Sequence, residues 1–227
     1  DETSLAAGRA LLHTLERAPA YAVLLFLVSG GASALVEVLP AGIGLDELTQ
    51  VQTWLQASCW DIAAVNAVRS RLSCIKAGRL ARYLGGRLTR NLLISDVPGD
   101  DPAIIGSGPL IAAGPAPSPG APDRVQRILD RVRAPSPPRP GDPCLATIRT
   151  AVIAGPADAA EAAAAALRAR GQPVQVHRER LTGDVQEAAR RIAATLISGA
   201  AGAHVWSGET TVTLPDDPGR GGRNQSL

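Results

Sequence analysis

The sequence predicts an α/β protein, with a parallel sheet in a first, larger domain and a second, smaller α/β domain after it. Three observations lead there. Residues 21–28 (YAVLLFLV) form a continuous apolar run that stops at Ser29-Gly30-Gly31, the pattern of a central parallel strand buried on both faces that breaks into a glycine turn. Residues 88–95 (LTRNLLIS) read as a second buried strand that ends at Asp96. From Thr147 onward, strand, alanine-rich helix, strand, helix and strand follow one another, which is a βαβαβ order.

The elements justify themselves in sequence. Leu5, Leu11, Leu12 and Leu15 recur at helical spacing over residues 4–17, and Pro19 closes that helix. A helix begins near Ala32, after the first strand. Residues 46–57 and 61–72 each open on an aspartate able to cap a helix, and each carries an apolar face. Residues 76–84 extend the second of these as a short helix that Gly85-Gly86 punctuates. The stretches 112–122 and 134–143 hold too much proline and glycine for a helix interior or a central strand; a helix over 123–133 lies between them. Beyond come a strand reaching Ala154, helix 157–170, strand 173–177, helix 183–199, strand 203–206 and a last strand over 210–214. The implied division is a first domain over 1–115, a proline-rich connection with a helix over 116–143, and a second domain over 144–227.

Composition removes several function classes. The formal charge is +2, from 23 basic and 21 acidic residues, so no overall field favours nucleic acid or an anionic membrane, and a small-molecule ligand is expected. Lys76 is the only lysine; the arginines suit planar recognition of carboxylate and phosphate. Cys59, Cys74 and Cys144 have no CxxC spacing, and there are only three histidines, which argues against a disulfide framework or a zinc site and fits a reducing, cytoplasmic setting. The longest apolar run is far too short to span a bilayer. The chain contains no methionine and both ends stop inside motif-like stretches, so a portion of a longer protein is expected. Oligomeric state is not fixed by the sequence, and a homo-oligomer stays open.

Four segments could carry chemistry. Ser29-Gly30-Gly31-Ala32-Ser33 lies where a parallel strand gives way to a helix, the position at which α/β sheets bind ligands. Its amides and the hydroxyls of Ser29 and Ser33 suit phosphate oxygens, although the same residues would also make an ordinary tight corner. Ser95-Asp96-Val97-Pro98-Gly99-Asp100-Asp101 leaves the second strand and should sit on the same sheet edge. Its carboxylates offer the hard oxygen ligands Mg²⁺ requires, or a proton acceptor, while a solvated turn capped by Asp100 or Asp101 is the plain alternative. Asp96, nearest the strand end, is the stronger candidate. Gly106-Ser107-Gly108-Pro109 is a second loop permitting close backbone approach. Asn66, Arg69, Ser73, Lys76 and Arg79 would share one cationic face if their helix were continuous. In the tail, Gly208-Glu209-Thr210-Thr211 and residues 219–225 (GRGGRNQ) suit an anion-binding loop or a flexible end equally. His13, His177 and His204 receive no role.

Taken in order, these segments resemble the glycerate 2-kinase family, whose second half carries the MOFRL region and whose members are often labelled hydroxypyruvate reductases. The blocks that carry the resemblance are DETSLAAGRALL (1–12), LVSGGASALVEVLPAGIGLDEL (27–48), VNAVRSRLSCIKAGRLA (65–81), LLISDVPGDDPAIIGSGPL (92–110) and SGETTVTL…GRGGRNQ (207–225). The resemblance implies a Rossmann-like α/β/α first domain, incomplete here because the family carries further strands and a glycine-lysine motif before this point. It implies ATP- and Mg²⁺-dependent phosphorylation of D-glycerate to 2-phosphoglycerate in a cleft between two α/β domains. Ser29, Gly30, Gly31, Ser33, Gly106 and Ser107 would face nucleotide phosphates. Asp96 and Asp101 would serve the metal or the proton. Arg69, Lys76, Arg223 and Asn224, with Glu209, would hold the acid and the phosphoryl group, and Lys76, Asp96 and Arg69 would be the catalytic set.

The chain departs from the family pattern at Ala32 and Ala77, where glycine is usual, at Trp206 before Ser207-Gly208-Glu209, and at Gly155-Pro156 in place of a serine-asparagine pair. Two other readings follow from the same residues. A hydroxypyruvate reductase would need NAD(P)H, yet no GxGxxG is followed by an acidic residue about 20 positions on. A non-catalytic portion would need the missing segment or a partner chain to act.

Overall fold

The computed structural model describes residues 1–58, 60, 62–112, 114 and 120–212. Cys59, the cap expected at Asp61, Arg223, Asn224 and the part of the last expected strand beyond Val212 lie outside the described residues. The chain divides into two compact units, Asp1–Ile153 and Ala154–Leu227.

Unit 1 opens with α1 (Glu2–Arg17), which starts two residues before the leucine repeat suggests because Asp1 caps it, its carboxylate accepting from the Ser4 amide at 2.9 Å. β1 (Leu24–Ser29) then runs parallel to β2 (Thr89–Ile94), Leu24 opposite Thr89 and Ser29 opposite Ile94. β3 (Ile148–Ala154) completes a sheet of order β1-β2-β3. The strand that alternation assigns to the second domain therefore pairs within the sheet of the first. The buried face of this sheet, with Leu24, Phe26 and Ile148, packs on Leu15, Ile75, Leu80, Leu84 and Leu110.

The expected double-sided burial of β1 is not what unit 1 provides. β1 is an edge strand, and Leu25 and Leu27 on its outer side are 61% and 73% exposed, beside Ile94 at 51% and Ile153 at 56%. No described element of unit 1 covers that side.

A second cluster sits among three helices, α3 (Leu45–Ala57), α4 (Ile62–Arg71) and α5 (Asp123–Arg131), where Leu48, Val51, Leu55, Val68, Leu72, Val125, Ile128 and Leu129 are buried together. The helix of the proline-rich connection is thus part of the first unit's core. Residues 76–84 do not extend α4. The chain turns at Ala77 and Gly78, both in the left-handed region (φ 52° and 80°), before a 3-10 segment Arg79–Tyr83. Asn66, Arg69, Ser73, Lys76 and Arg79 consequently do not share one helical face.

Unit 2 comprises α6 (Pro156–Arg168), β4 (Val174–Val176), α7 (Val185–Ser198) and β5 (Ala203–Val205), with β4 and β5 parallel. Of the last expected strand, Thr211 forms a parallel bridge with Asp184. Among the described residues no helix is long and apolar enough to cross a membrane. The molecule is a mixed α/β protein with parallel sheets.

Candidate active site

Because β1 and β2 are parallel and in register to their last residues, the turns that follow them leave the sheet at one edge. Ser29 ends β1 and is exposed; Gly30 and Gly31 turn the chain into α2 (Ala32–Leu35), a single helical turn of four residues. Ser33 and Ala34 donate their amides back to Gly30 and Gly31, whereas the amides of Gly31 and Ala32 form no hydrogen bond among the described residues. Asp96 is exposed and sits directly against Gly30: a Cβ on Gly30 would fall 1.6 Å from Asp96 Oδ2. Glycine is required here for space, and the carboxylate overhangs the turn.

A third segment closes on these two. Gly106 and Ser107 are both left-handed (φ 59° and 63°), and a Cβ on Gly106 would lie 2.9 Å from the Val28 side chain. Ser107 is buried, and its hydroxyl is 2.6 Å from that of Ser33. Its carbonyl accepts the Ala77 amide at 3.0 Å, while the Gly108 carbonyl accepts that of Gly78 at 2.7 Å. Two of the expected segments, 29–33 and 106–108, are therefore linked by hydrogen bonds to each other and to the turn at Lys76–Gly78, with Asp96 beside them. Ala77, Asp100 and Ser107 are the only non-glycine residues at positive φ among the described residues; such backbone strain concentrates at functional sites.

Lys76 has a definite environment. It is 4% exposed, its ammonium is 2.7 Å from Glu37 Oε2, and it donates to the Ser33 carbonyl at 2.8 Å. Ser73, fully buried, accepts from the amides of Ile75 and Lys76 and so shapes the approach to that lysine. Glu37 escapes sequence reasoning; the signal available is one carboxylate inside the apolar stretch ALVEVLP, since a charge is seldom buried without a partner.

The other expected residues divide. Asp101 is exposed and its Oδ1 accepts the Ala103 amide at 2.9 Å, so it caps the next turn. Arg69 is half-buried on α4, and its guanidinium forms no hydrogen bond or ion pair among the described residues. Arg79 is buried and committed to carbonyls of Ser70, Lys76 and Pro135, a staple between segments, and burial lowers its pKa. Burial likewise pushes the Cys74 thiol up, away from a reactive thiolate. Glu209 is exposed in unit 2. Among the described residues no group of three His, Cys, Asp or Glu side chains is arranged to hold a metal ion.

The chain is similar to several known proteins. Residues 1–139 match the family model "Domain of unknown function (DUF4147)". A putative hydroxypyruvate reductase of Agrobacterium vitis is 35% identical over 220 residues, 88% of this chain and 56% of that protein. A glycerate 2-kinase of Pyrococcus horikoshii is 29% identical over all of this chain and 56% of its own length. The crystal structure of a glycerate kinase from Thermotoga maritima superposes with a TM-score of 0.70 and 25% identity, covering 99% of this chain and 56% of that one. The chain thus spans little more than half the length of these relatives. It belongs to the DUF4147 family, the glycerate kinase family region, alongside glycerate 2-kinases and putative hydroxypyruvate reductases.

Proposed function

We propose that the protein carrying this chain uses ATP to phosphorylate D-glycerate, giving 2-phosphoglycerate. The observation that supports this reading is the meeting of the 29–33 and 106–108 turns with Asp96 at one sheet edge, in a chain of this family.

The residues fit a nucleotide and its metal. The amides of Gly31 and Ala32, which have no partner among the described residues, are donors suited to phosphate oxygens, and the Ser33–Ser107 hydroxyl pair, with one proton engaged between them, keeps one more to donate. Asp96 is an exposed carboxylate with no other task among the described residues, and Mg²⁺ needs only one or two carboxylates beside phosphate and water. Asp101 offers its second oxygen, the first being engaged as a cap. When bound, Mg²⁺–ATP supplies the phosphoryl group and neutralises its charge. Asp96 would then hold the metal or take the proton of the attacking hydroxyl, the Ser29 hydroxyl would donate to phosphate, and Gly30 and Gly106 would let the backbone approach closely. Arg69, Glu209, Arg223 and Asn224 are proposed to hold the acid, by resemblance alone.

A second reading, reduction of hydroxypyruvate with NAD(P)H, takes its support from the name of two Agrobacterium vitis relatives. Assays of both reactions on one preparation separate them: ATP-dependent formation of phosphoglycerate supports the kinase, whereas NAD(P)H oxidation with hydroxypyruvate and no ATP consumption overturns it. If neither reaction occurs unless another polypeptide is added, the non-catalytic reading of this portion replaces both.

A further inference from the structure

We propose that Glu37 is a positioning residue that works through Lys76, the two forming a buried clamp on the far end of the 29–33 turn. The inference rests on the kinase reading for what the turn binds, but the clamp itself is set by geometry. Lys76 and Glu37 side chains are each only 6% exposed, and the 2.7 Å ion pair leaves the lysine facing a carboxylate. The ammonium also donates to the Ser33 carbonyl, one residue into α2. In this structure the ammonium is engaged by a carboxylate and a backbone carbonyl, both of which it holds in place.

Glu37 is itself anchored by α1. Its amide donates to the Ser4 carbonyl at 3.0 Å, and its own carbonyl lies so close to Gly8 that a Cβ there would be 1.9 Å away. The carboxylate's other oxygen accepts the Val38 amide at 2.9 Å, and the Val38 carbonyl accepts from the Cys74 amide at 2.7 Å. The carboxylate is therefore fixed before it meets the lysine. A chain of contacts runs from α1 through Glu37 and Lys76 to Ser33, and on through the paired hydroxyls to Ser107. Through it the helix packed on the sheet sets the shape of a one-turn helix that has little stability of its own.

The test uses the protein carrying this chain and three variants: Glu37→Gln, Lys76→Met and the apolar pair Glu37→Leu/Lys76→Met. The pair removes both charges together, so it keeps the test decisive where Lys76→Met strands a buried carboxylate and fails to fold. Amide hydrogen exchange over residues 30–36 is expected to accelerate about tenfold or more in the folded variants, with exchange in α3 and α5 unchanged. In the kinase assay the KM for ATP should rise about tenfold and kcat fall less than about threefold. Parental exchange and parental KM in the apolar pair would show mere space filling and overturn the clamp. So would a fall in kcat of about a thousandfold at unchanged KM and exchange, which would make Lys76 a group acting on the phosphoryl itself. If the unmodified protein does not phosphorylate glycerate, the kinase reading fails by itself, and hydrogen exchange still decides the clamp.

Discussion

Two regions of unit 1 are built on opposite principles. The cluster of α3, α4 and α5 is made of Val, Leu and Ile side chains, with no non-glycine residue at positive φ among those described. The sheet edge buries Glu37, Ser73, Lys76 and Ser107, and it holds Ala77, Asp100 and Ser107 in the left-handed region. Apolar packing gains stability without specifying a ligand, whereas buried charge and strained backbone cost stability and persist where geometry matters. The helix cluster is built to support the fold, and the edge is where we propose the site.

The largest break expected is in the cluster. Leu129→Ala should lower unfolding free energy by about 2–5 kcal/mol, measured by denaturant titration, while activity per folded molecule holds; a selective loss of activity would blur the two regions. At the edge the reverse is expected. Gly30→Ala forces the Asp96 carboxylate aside, and because that group is exposed the cost in stability should stay below about 1 kcal/mol. Its kcat/KM should nonetheless fall about a hundredfold, the scale of an ångström misplacement at a reacting group.

Ala77→Gly sharpens the contrast. Glycine takes φ 52° without a Cβ penalty, so unfolding free energy should rise by about 1 kcal/mol. A lower stability would mean that Ala77 is held by packing that outweighs its strain.

The smallest effect lies on the exposed rim of the cluster. Glu47 accepts the Gly44 amide at 2.8 Å and pairs with Arg131 at 2.7 Å, and the first of these contacts chiefly lowers its pKa. A depressed carboxylate stabilises the fold above its unfolded pKa of about 4.3 and loses that contribution as pH falls through the lower folded value. Thermal melts of the parent and Glu47→Gln at pH 7 and below pH 4 should therefore converge at the lower pH. A gap that persists there would assign the effect to packing.

Much of this is legible in the sequence, and the limits have physical causes. Apolar runs ending in glycine or aspartate locate β1 and β2, and parallel pairing puts their turns on one edge. Periodicity does not record pairing partners, so alternation assigns β3 to the second domain although it pairs within the first unit's sheet. The apolar run of β1 likewise gives no sign that Leu25 and Leu27 lie exposed on one side of its sheet. Alanine carries no turn signal, so the break at Ala77 reads as continuing helix. Glu37 meets Lys76 with the whole of α3 and α4 between them in sequence, a separation that no local pattern bridges. The spacing of Asp101 does not reveal that one of its oxygens caps the turn at Ala103, a bond fixed by the local fold of the loop.

The proposed phosphoryl-transfer site at the sheet edge, with Asp96 at its centre, is tested most directly by steady-state kinetics of the parent and Asp96→Asn. The parent is expected to form phosphoglycerate in proportion to ATP consumed, and the variant to lose at least about a hundredfold in kcat/KM without loss of folding. A variant with parental kcat/KM would contradict it.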